Sequence, residues 1–387
     1  MTPSLPSLES MIRRLVAIPS VSSPRRDLDQ GNRAVCEAVG EWMEHLGLSV
    51  QIRPLPGAGH KFNLIARAGG DADDGLVLSG HTDTVPWDDG AWRLDPFEGV
   101  VRDGRLYGLG SADMKSFFAV VAHALRRLDL DRLRRPLVVL ATADEESGMA
   151  GARALADAGQ RPGARVIIGE PTGLVPVNRH KGILMEQVRL QGRSGHSSDP
   201  AAGLNAIDGM GEVVRALQDF RRDIAGRFRD EAFAVPEATL NFGRIEGGDS
   251  PNRICGSCTL SLDLRTPPGG RVSALREELR RAVCQRLENS GFRIGFDALF
   301  EGVDPLEPGE TDVLARACAE AAGHACAAVS FGTEGPFFRR LGMEVVILGP
   351  GDIAVAHQPD ESIELAEAER AVDLLAGLVH RFCIDGS

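Results

Sequence analysis

Four short runs of apolar residues constrain the fold of this chain more than any other feature of its sequence. They lie at Leu76–Ser79, Leu137–Ala141, Arg165–Gly169 and Glu344–Leu348. Such runs are typical of strands that are buried on both faces, and segments with helical periodicity lie between them. The sequence therefore predicts an α/β domain with a mixed sheet, including parallel strands, and helices on both of its faces.

The pattern changes in the middle of the chain and then returns. Strands are predicted at Ile183–Leu190, Thr239–Ile245, Cys258–Leu264 and Phe292–Phe300, with helices at Gly203–Phe220 and Ala274–Leu287. The order β-α-β-β-α-β is that of a ferredoxin-like α+β unit. Beyond it, the first pattern resumes with a helix from Thr311. We therefore predict one domain formed by residues 1–181 and 302–387, and a second domain inserted at residues 182–301.

Composition excludes several classes of protein. Hydrophobic residues make up 43% of the 387 residues and charged residues 25%, as in ordinary globular domains. The net charge of −12 disfavours a nucleic-acid surface, and no apolar run approaches the ~18 residues that span a bilayer. The start of the chain lacks a secretory pattern, and seven cysteines are most simply read as reduced thiols. We expect a cytoplasmic protein without nucleic-acid or membrane partners.

Several common catalytic motifs are missing from the sequence. The stretch GLGSAD at 108–113 begins like a dinucleotide-binding loop, but Asp113 stands where that loop needs its third glycine. No GxxxxGK[ST], GxSxG or HExxH motif occurs. Forty of the 43 basic residues are arginine, and the only lysines are Lys61, Lys115 and Lys181. We attribute this bias to nucleotide composition rather than to function.

Histidines and carboxylates follow the ends of the predicted strands. Those in or near such loops are His81, Asp83, Asp113, Asp144, Glu145, Glu146, Glu170 and His357. Because ligands bind beyond the carboxyl ends of strands in open α/β sheets, we expect these side chains to converge. Two histidines with several carboxylates suit a pair of zinc-like ions.

Local spacing suggests roles for three of these residues. Positions i and i+2 of an extended chain share a face, so Asp83 could reach the second ring nitrogen of His81 and fix its tautomer. Glu145 and Glu146 are adjacent and point opposite ways, so one can bind metal while the other stays free as a base. Each residue alone also has an ordinary explanation, such as a surface histidine, a solvated turn or a helix cap. Their shared position at one sheet edge favours the metal site.

Five stretches of the chain together resemble the M20 family of metallopeptidases and deacylases. They are SGHTDTVP, YGLGSADMK, ATADEESG, IIGEPT and AHQPDE, in this order between residues 79 and 361. The resemblance covers essentially the whole chain. It implies a di-metal amidohydrolase with two divalent ions per subunit, for which zinc, cobalt and manganese all have suitable ligand preferences and zinc is our first choice.

The resemblance also implies a role for each site residue of the first domain. His81 and Glu170 would bind one ion, Glu146 and His357 the other, and Asp113 would bridge them. Asp83 would orient His81, and Glu145 would be the general base. The peptide bond between Asp113 and Met114 is expected to be cis.

For the inserted domain, the resemblance implies a dimerisation lid and hence a homodimer. His196 would reach the active site of the partner subunit and donate a hydrogen bond to the oxyanion. Asn252 and Arg265 would hold the carboxylate of the substrate, and Gly332 and Thr333 would line the pocket. We assign Glu334, their neighbour, to the terminal ammonium of the substrate. The ordinary alternatives are a loop histidine, a strand arginine facing solvent and a glutamate that faces solvent at a helix start or supports the metal site.

Within the family, six stretches resemble acetylornithine deacetylases. They are HTDTVPWDDGAW, MKSFFA, HKG, GRSGHSSDPA, GGDSPNRIC and GTEGPFF. This resemblance implies hydrolysis of N2-acetyl-L-ornithine to ornithine and acetate, a step of arginine biosynthesis. Other M20 enzymes remain open: an acetylcitrulline deacetylase, a succinyl-diaminopimelate desuccinylase or a glutamate-type carboxypeptidase. A non-catalytic scaffold is the remote alternative.

Overall fold

The computed structural model of the protein describes residues 5–88, 90–309 and 312–386. Its strands are β1 (Ser49–Leu55), β2 (Ala58–Ala68), β3 (Leu76–His81), β4 (Val100–Arg102), β5 (Arg105–Tyr107), β6 (Leu137–Thr142), β7 (Arg165–Pro171), β8 (Val177–His180), β9 (Gly182–Gln191), β10 (Gly195–His196), β11 (Thr239–Gly247), β12 (Arg253–Ile254), β13 (Ser257–Thr266), β14 (Arg293–Val303), β15 (Ala327–Val329), β16 (Glu344–Gly349) and β17 (Ser362–Glu364). Its helices are α1 (Leu8–Val16), α2 (Arg33–His45), α3 (Ser116–Leu125), α4 (Ala150–Asp157), α5 (Ala206–Arg227), α6 (Val272–Arg286), α7 (Val313–Ala322), α8 (Gly335–Arg340) and α9 (Leu365–Val379).

The chain forms two compact units. The first contains the described residues within Met1–Asn178, Pro308–Ala327 and Glu334–Ser387. The second contains Arg179–Glu307 together with the short segment Ala328–Thr333. Residues 182–301 of the predicted insertion thus all belong to the second unit. The segment that carries Gly332 and Thr333 belongs to it as well, although it lies beyond the predicted boundary.

The large sheet, whose parallel strands all lie in the first unit, is mixed, as predicted. Its eight strands have the order β1-β2-β6-β3-β7-β16-β8-β15. Strands β6, β3, β7 and β16 are parallel neighbours, whereas β1, β2 and β8 pair antiparallel with their neighbours. The carboxyl ends of the four parallel strands therefore lie along one edge of the sheet.

Burial on both faces explains the continuous apolar runs. Every residue of β3 and of β6 is buried. Leu76 and Leu78 join a core cluster that also contains residues of α1, α2, α3, α7 and α9. Val77, which points the other way along β3, is equally inaccessible to solvent. Helices thus cover both faces of the central strands, which confirms the predicted architecture.

The second unit has the predicted ferredoxin-like order of elements. Strands β9, β11, β13 and β14 form an antiparallel sheet in the order β11-β13-β9-β14. Helices α5 and α6 share a core with this sheet. Alternate residues of β13, from Cys258 to Leu264, are buried, while the residues between them are partly exposed. This alternation is typical of a sheet that is covered by helices on one face.

Other features of the chain concern helix bounds, membrane spans and thiols. Helix α7 begins at Val313; its predicted start, Thr311, lies outside the described residues. Within the described ranges, the structure contains no helix with the length and apolar character needed to cross a membrane. The seven cysteines are free thiols.

Candidate metal centre

The parallel strands carry most of the candidate ligands of the first unit to one edge of the sheet. His81 is the last residue of β3, and Glu170 lies near the end of β7. Glu146 follows β6 within a short turn, and His357 lies in the loop after β16. Asp113 precedes α3, and the Asp113–Met114 bond is cis, as the resemblance implied.

Asp113 is the centre of the cluster. Its Oδ1 lies 3.0 Å from Nε2 of His81, and its Oδ2 lies 3.3 Å from Nε2 of His357. Each carboxylate oxygen therefore faces a different histidine. Despite burial, the hydrogen bonds from the two imidazoles hold the pKa of Asp113 below its usual range. A carboxylate with two oxygens directed at two nitrogen ligands has the arrangement required of a bridging ligand.

One further carboxylate accompanies each histidine. Nε2 of His357 lies 3.0 Å from Oε2 of Glu146, and Nε2 of His81 lies 3.9 Å from Oε2 of Glu170. Ligand atoms of His81, Asp113 and Glu146 all lie within 4.8 Å of one another. The five predicted ligands thus fall into two groups that share Asp113.

The electrostatics of the cluster fit bound cations. Burial, followed by the charge of Asp113, raises the pKa of Glu170 well above its usual range, and the same two causes raise the pKa of Glu146. Hydrogen bonds to Asp113 and then to Glu146 raise the pKa of His357 to about 10. Divalent cations would relieve this crowding of buried carboxylates. With nitrogen and oxygen donors only, these residues fit zinc or a similar ion.

The main chain fixes the tautomer of His81. Its Nδ1 lies 3.0 Å from the carbonyl oxygen of Asp83, whereas Oδ1 of that residue is 3.8 Å away. A carbonyl oxygen can only accept, so Nδ1 carries a proton. Nε2, which faces Asp113, is therefore the nitrogen that would bind a cation, in exchange for the proton that it shares with that carboxylate. The spacing argument gave this task to the carboxylate of Asp83. In the structure, Oδ2 of that carboxylate instead accepts the main-chain N–H of Glu146 at 3.1 Å.

Glu145 and Glu146 have different surroundings although they are adjacent. Glu146 contacts His357, whereas Glu145 makes no side-chain hydrogen bond within the described part of the chain. Burial, followed by the charge of Glu170, raises the pKa of Glu145 well above its usual range. A carboxyl group that is not held by a partner and has a raised pKa is suited to accept and release a proton.

Glu334 lies in the first unit, at the start of α8. Its Oε2 accepts a hydrogen bond of 2.8 Å from Oγ1 of Thr142, the last residue of β6. Its Oε1 is buried without a hydrogen-bond partner in the described chain. Burial is the main reason that the pKa of Glu334 rises to about 7. These contacts show that Glu334 supports the end of β6; its assignment to the substrate ammonium stays a prediction.

In the second unit, His196 and Asn252 lie side by side. Strand β10, which contains His196, pairs with β12, and the main-chain oxygen of Asn252 accepts the N–H of Ser197 at 3.1 Å. Nδ1 of His196 accepts the N–H of Ser198 at 3.2 Å. The neutral ring must therefore carry its proton on Nε2, which is exposed and has no partner among the described residues. His196 can donate a hydrogen bond from that atom.

The other candidate residues of the second unit are Arg265, on β13, and Gly332 and Thr333, in the segment Ala328–Thr333. Arg265 is on β13, where its Nε donates to the carboxylate of Asp263 at 3.0 Å. Gly332 packs so closely against Ile183 that a Cβ atom would lie 2.5 Å from its Cδ1. Thr333, next to Gly332, is fully buried.

The sequence analysis assigned no role to Glu361, although this residue lies in the AHQPDE stretch. Its Oε1 accepts the main-chain N–H groups of Ala112 and Asp113 at 2.8 and 3.0 Å, and its Oε2 accepts that of Gly110 at 3.2 Å. Glu361 thus ties the segment that carries Asp113 to the segment that carries His357. Its place in the AHQPDE stretch was the sequence signal that could have pointed to it.

Comparisons with known proteins identify the family of this chain. Residues 77–381 match the model of peptidase family M20/M25/M40. An acetylornithine deacetylase from Erwinia tasmaniensis is 42% identical over 383 residues, which cover 99% of this chain and 100% of the relative. An M20 family metallo-carboxypeptidase from Sulfolobus solfataricus has a similar fold, with a TM-score of 0.78, 18% identity and coverage of 97% and 99% of the two chains. A Bacillus subtilis protein described as a dinuclear metal-binding peptidase of the M20 family has a TM-score of 0.67 at 16% identity, with 96% of each chain covered.

Proposed function

Because this chain belongs to peptidase family M20/M25/M40 and is an amidohydrolase, we propose that it removes the acetyl group from N2-acetyl-L-ornithine. The products are ornithine and acetate, and the reaction serves arginine biosynthesis in the cytoplasm. The observation that carries this proposal is the 42% identity to an acetylornithine deacetylase over nearly the whole of both chains.

In this proposal, two ions share the cluster around Asp113. His81 and Glu170 hold one ion, and Glu146 and His357 hold the other. Zinc is the first candidate, and cobalt and manganese are the alternatives, since all three accept nitrogen and oxygen ligands. When bound, the ions would polarise the amide carbonyl and acidify water.

The side chains divide the remaining work. Glu145 takes a proton from the attacking water and later delivers it to the departing amine. Nε2–H of His196, supplied by the second subunit of a homodimer, donates to the developing oxyanion. Arg265 and Asn252 bind the substrate carboxylate, because a guanidinium can make two parallel hydrogen bonds to it. Gly332 and Thr333 line the pocket, and Glu334 selects the terminal ammonium.

The test is steady-state kinetics of the metal-loaded enzyme on a panel of substrates. The panel contains acetylornithine, acetylcitrulline, succinyl-diaminopimelate and a peptide that ends in glutamate. We expect kcat/KM to be highest for acetylornithine. In Glu145→Gln, turnover should fall by ~10²–10⁴-fold while both ions are retained, because a general base typically contributes that much. If another member of the panel has a higher kcat/KM, that compound replaces acetylornithine as the proposed substrate. If turnover is unchanged in Glu145→Gln, Glu145 is not the general base.

A further inference from the structure

All three lysines of this chain are buried. The exposed fractions of Lys61, Lys115 and Lys181 are 3%, 0% and 2%. In the described part of the chain, the solvent-exposed basic side chains other than histidine are therefore all arginine. A compositional bias explains why arginine occupies the surface, but not why lysine remains only in the interior. An ammonium is a compact point charge, whereas a guanidinium is a wide planar fork. Lys61, Lys115 and Lys181 therefore place the compact cation, and not the planar fork, in the interior.

Lys61 is the one of the three that contacts carboxylates among the described residues. Its Nζ lies 2.7 Å from Oδ1 of Asp29, 3.2 Å from Oγ of Ser22 and 3.6 Å from Oδ1 of Asp144. By contrast, the ammonium groups of Lys115 and Lys181 donate to main-chain oxygens. The ammonium of Lys61 thus donates hydrogen bonds to Asp29 and Ser22 and forms an ion pair with Asp144.

Asp144 connects this cluster to the turn after β6 that carries Glu145 and Glu146. Its φ of +64° lies in the left-handed region, which is uncommon for residues other than glycine. Its carbonyl accepts the N–H groups of Gly148 and Met149, and its Oδ1 accepts hydrogen bonds from Ser22 and Ser147. Asp144 therefore fixes the direction in which the chain enters Glu145.

We propose that Lys61 is a positioning residue for the general base Glu145 and acts through Asp144. This inference rests on the proposed function. The buried ammonium balances the charge of Asp144 and keeps its carboxylate in the orientation that forms the turn. Without the ammonium, the carboxylate is left beside Asp29, and repulsion between the two acids opens the turn and displaces Glu145. A displacement of this kind lowers kcat more than it changes KM, because the base acts in the chemical step.

The experiment compares Lys61→Met with the wild type and with Arg33→Met. Arg33→Met is the matched control, since it removes an exposed cation from the neighbouring helix α2. We expect Lys61→Met to lower kcat on acetylornithine by roughly 10- to 100-fold, with the metal content unchanged and KM within about threefold. Arg33→Met should keep the wild-type kcat. Lys61→Arg should not restore activity, because the fork does not fit the three oxygens.

A second background separates positioning from general damage. In Glu145→Gln the base is already absent, so adding Lys61→Met should leave the residual turnover unchanged. An equal loss in both backgrounds, loss of metal from Lys61→Met, or a wild-type kcat in Lys61→Met would each overturn the proposal. If Lys61→Met does not fold, Asp144→Asn takes its place with the same expectations and the same contrary outcomes. If the wild type hydrolyses no member of the panel, the proposed function fails first and this inference fails with it.

Discussion

At the scale of single residues, main-chain groups organise this site as much as side chains do. A carbonyl oxygen holds the tautomer of His81, and three N–H groups hold the carboxylate of Glu361. Sequence patterns show which side chains are present, and the spacing of His81, Glu146 and Glu170 behind strands was enough to predict that they converge. Sequence patterns do not show which main-chain groups lack hydrogen-bond partners. The contacts of Glu361 and of Lys61 were therefore beyond sequence reasoning, since they join segments far apart in the chain.

The first prediction concerns Glu361. In Glu361→Gln, the amide oxygen can still accept two of the three main-chain N–H groups, but the amide nitrogen is itself a donor and cannot accept the third. This variant should therefore lose about 1–3 kcal/mol of stability, and Glu361→Ala should lose more. Because the N–H of Asp113 is among the three donors, both variants should also bind metal more weakly. Urea unfolding and metal analysis measure the two effects.

Glu369→Gln is the matched control for this prediction. Glu369 is exposed on α9, and its replacement should change stability by no more than about 0.5 kcal/mol. If Glu361→Ala unfolds like the wild type and retains both ions, then the hydrogen bonds of Glu361 do not support Asp113.

At the scale of elements, the length of a strand decided whether the sequence could predict it. The buried strands β3, β6, β7 and β16 were predicted because each is a continuous apolar run. Strands β4, β5 and β17 are three residues long, and their pairing joins Tyr107 to Ser362, so no local pattern predicts them. Helix α1 was missed although its signal was present: its buried residues recur at helical spacing, and Ser7 caps its first turn.

The second prediction concerns the contact between α3 and the sheet. A Cβ at Gly169 of β7 would lie 2.2 Å from the ring of Phe117, which is buried at the start of α3. Glycine therefore lets the helix that follows Asp113 sit directly on the strand that carries Glu170. Gly169→Ala should destabilise the protein by about 1–3 kcal/mol, because neither the ring nor the strand has room to move.

Gly377→Ala provides the opposite expectation for the same chemical change. Gly377 lies within α9, and a Cβ there would meet nothing within 4 Å. Alanine should stabilise this helix by about 0.5–1 kcal/mol. Urea unfolding of both variants is the measurement, and the addition of Phe117→Leu to Gly169→Ala should recover part of the loss. Equal stability of the two alanine variants would contradict the proposed close packing.

At the scale of the whole molecule, the change of pattern after residue 181 was sufficient to predict an inserted ferredoxin-like unit. The position of Ala328–Thr333 was not predictable. In sequence, these six residues lie within the region where the α/β pattern has resumed, but in space they belong to the second unit. Membership of a compact unit depends on contacts between distant segments, which local periodicity does not encode.

The last prediction tests whether two copies of the chain complete each other's sites. His196 belongs to the second unit and the ligands belong to the first, and its Nε2–H is an available donor. In the proposed homodimer, His196→Ala should keep its metal and its subunit association but lose ~10²–10³-fold in kcat, as expected for the loss of one oxyanion donor. Mixing it with Glu145→Gln should restore activity, because one site of each mixed dimer combines an intact Glu145 with an intact His196 of the other subunit. Equal mixing with free exchange should give roughly a quarter of the wild-type activity, since about half of the dimers are mixed and each has one competent site. A mixture that stays inactive although subunit exchange is demonstrated by native mass spectrometry would assign His196 to its own subunit or to no catalytic role.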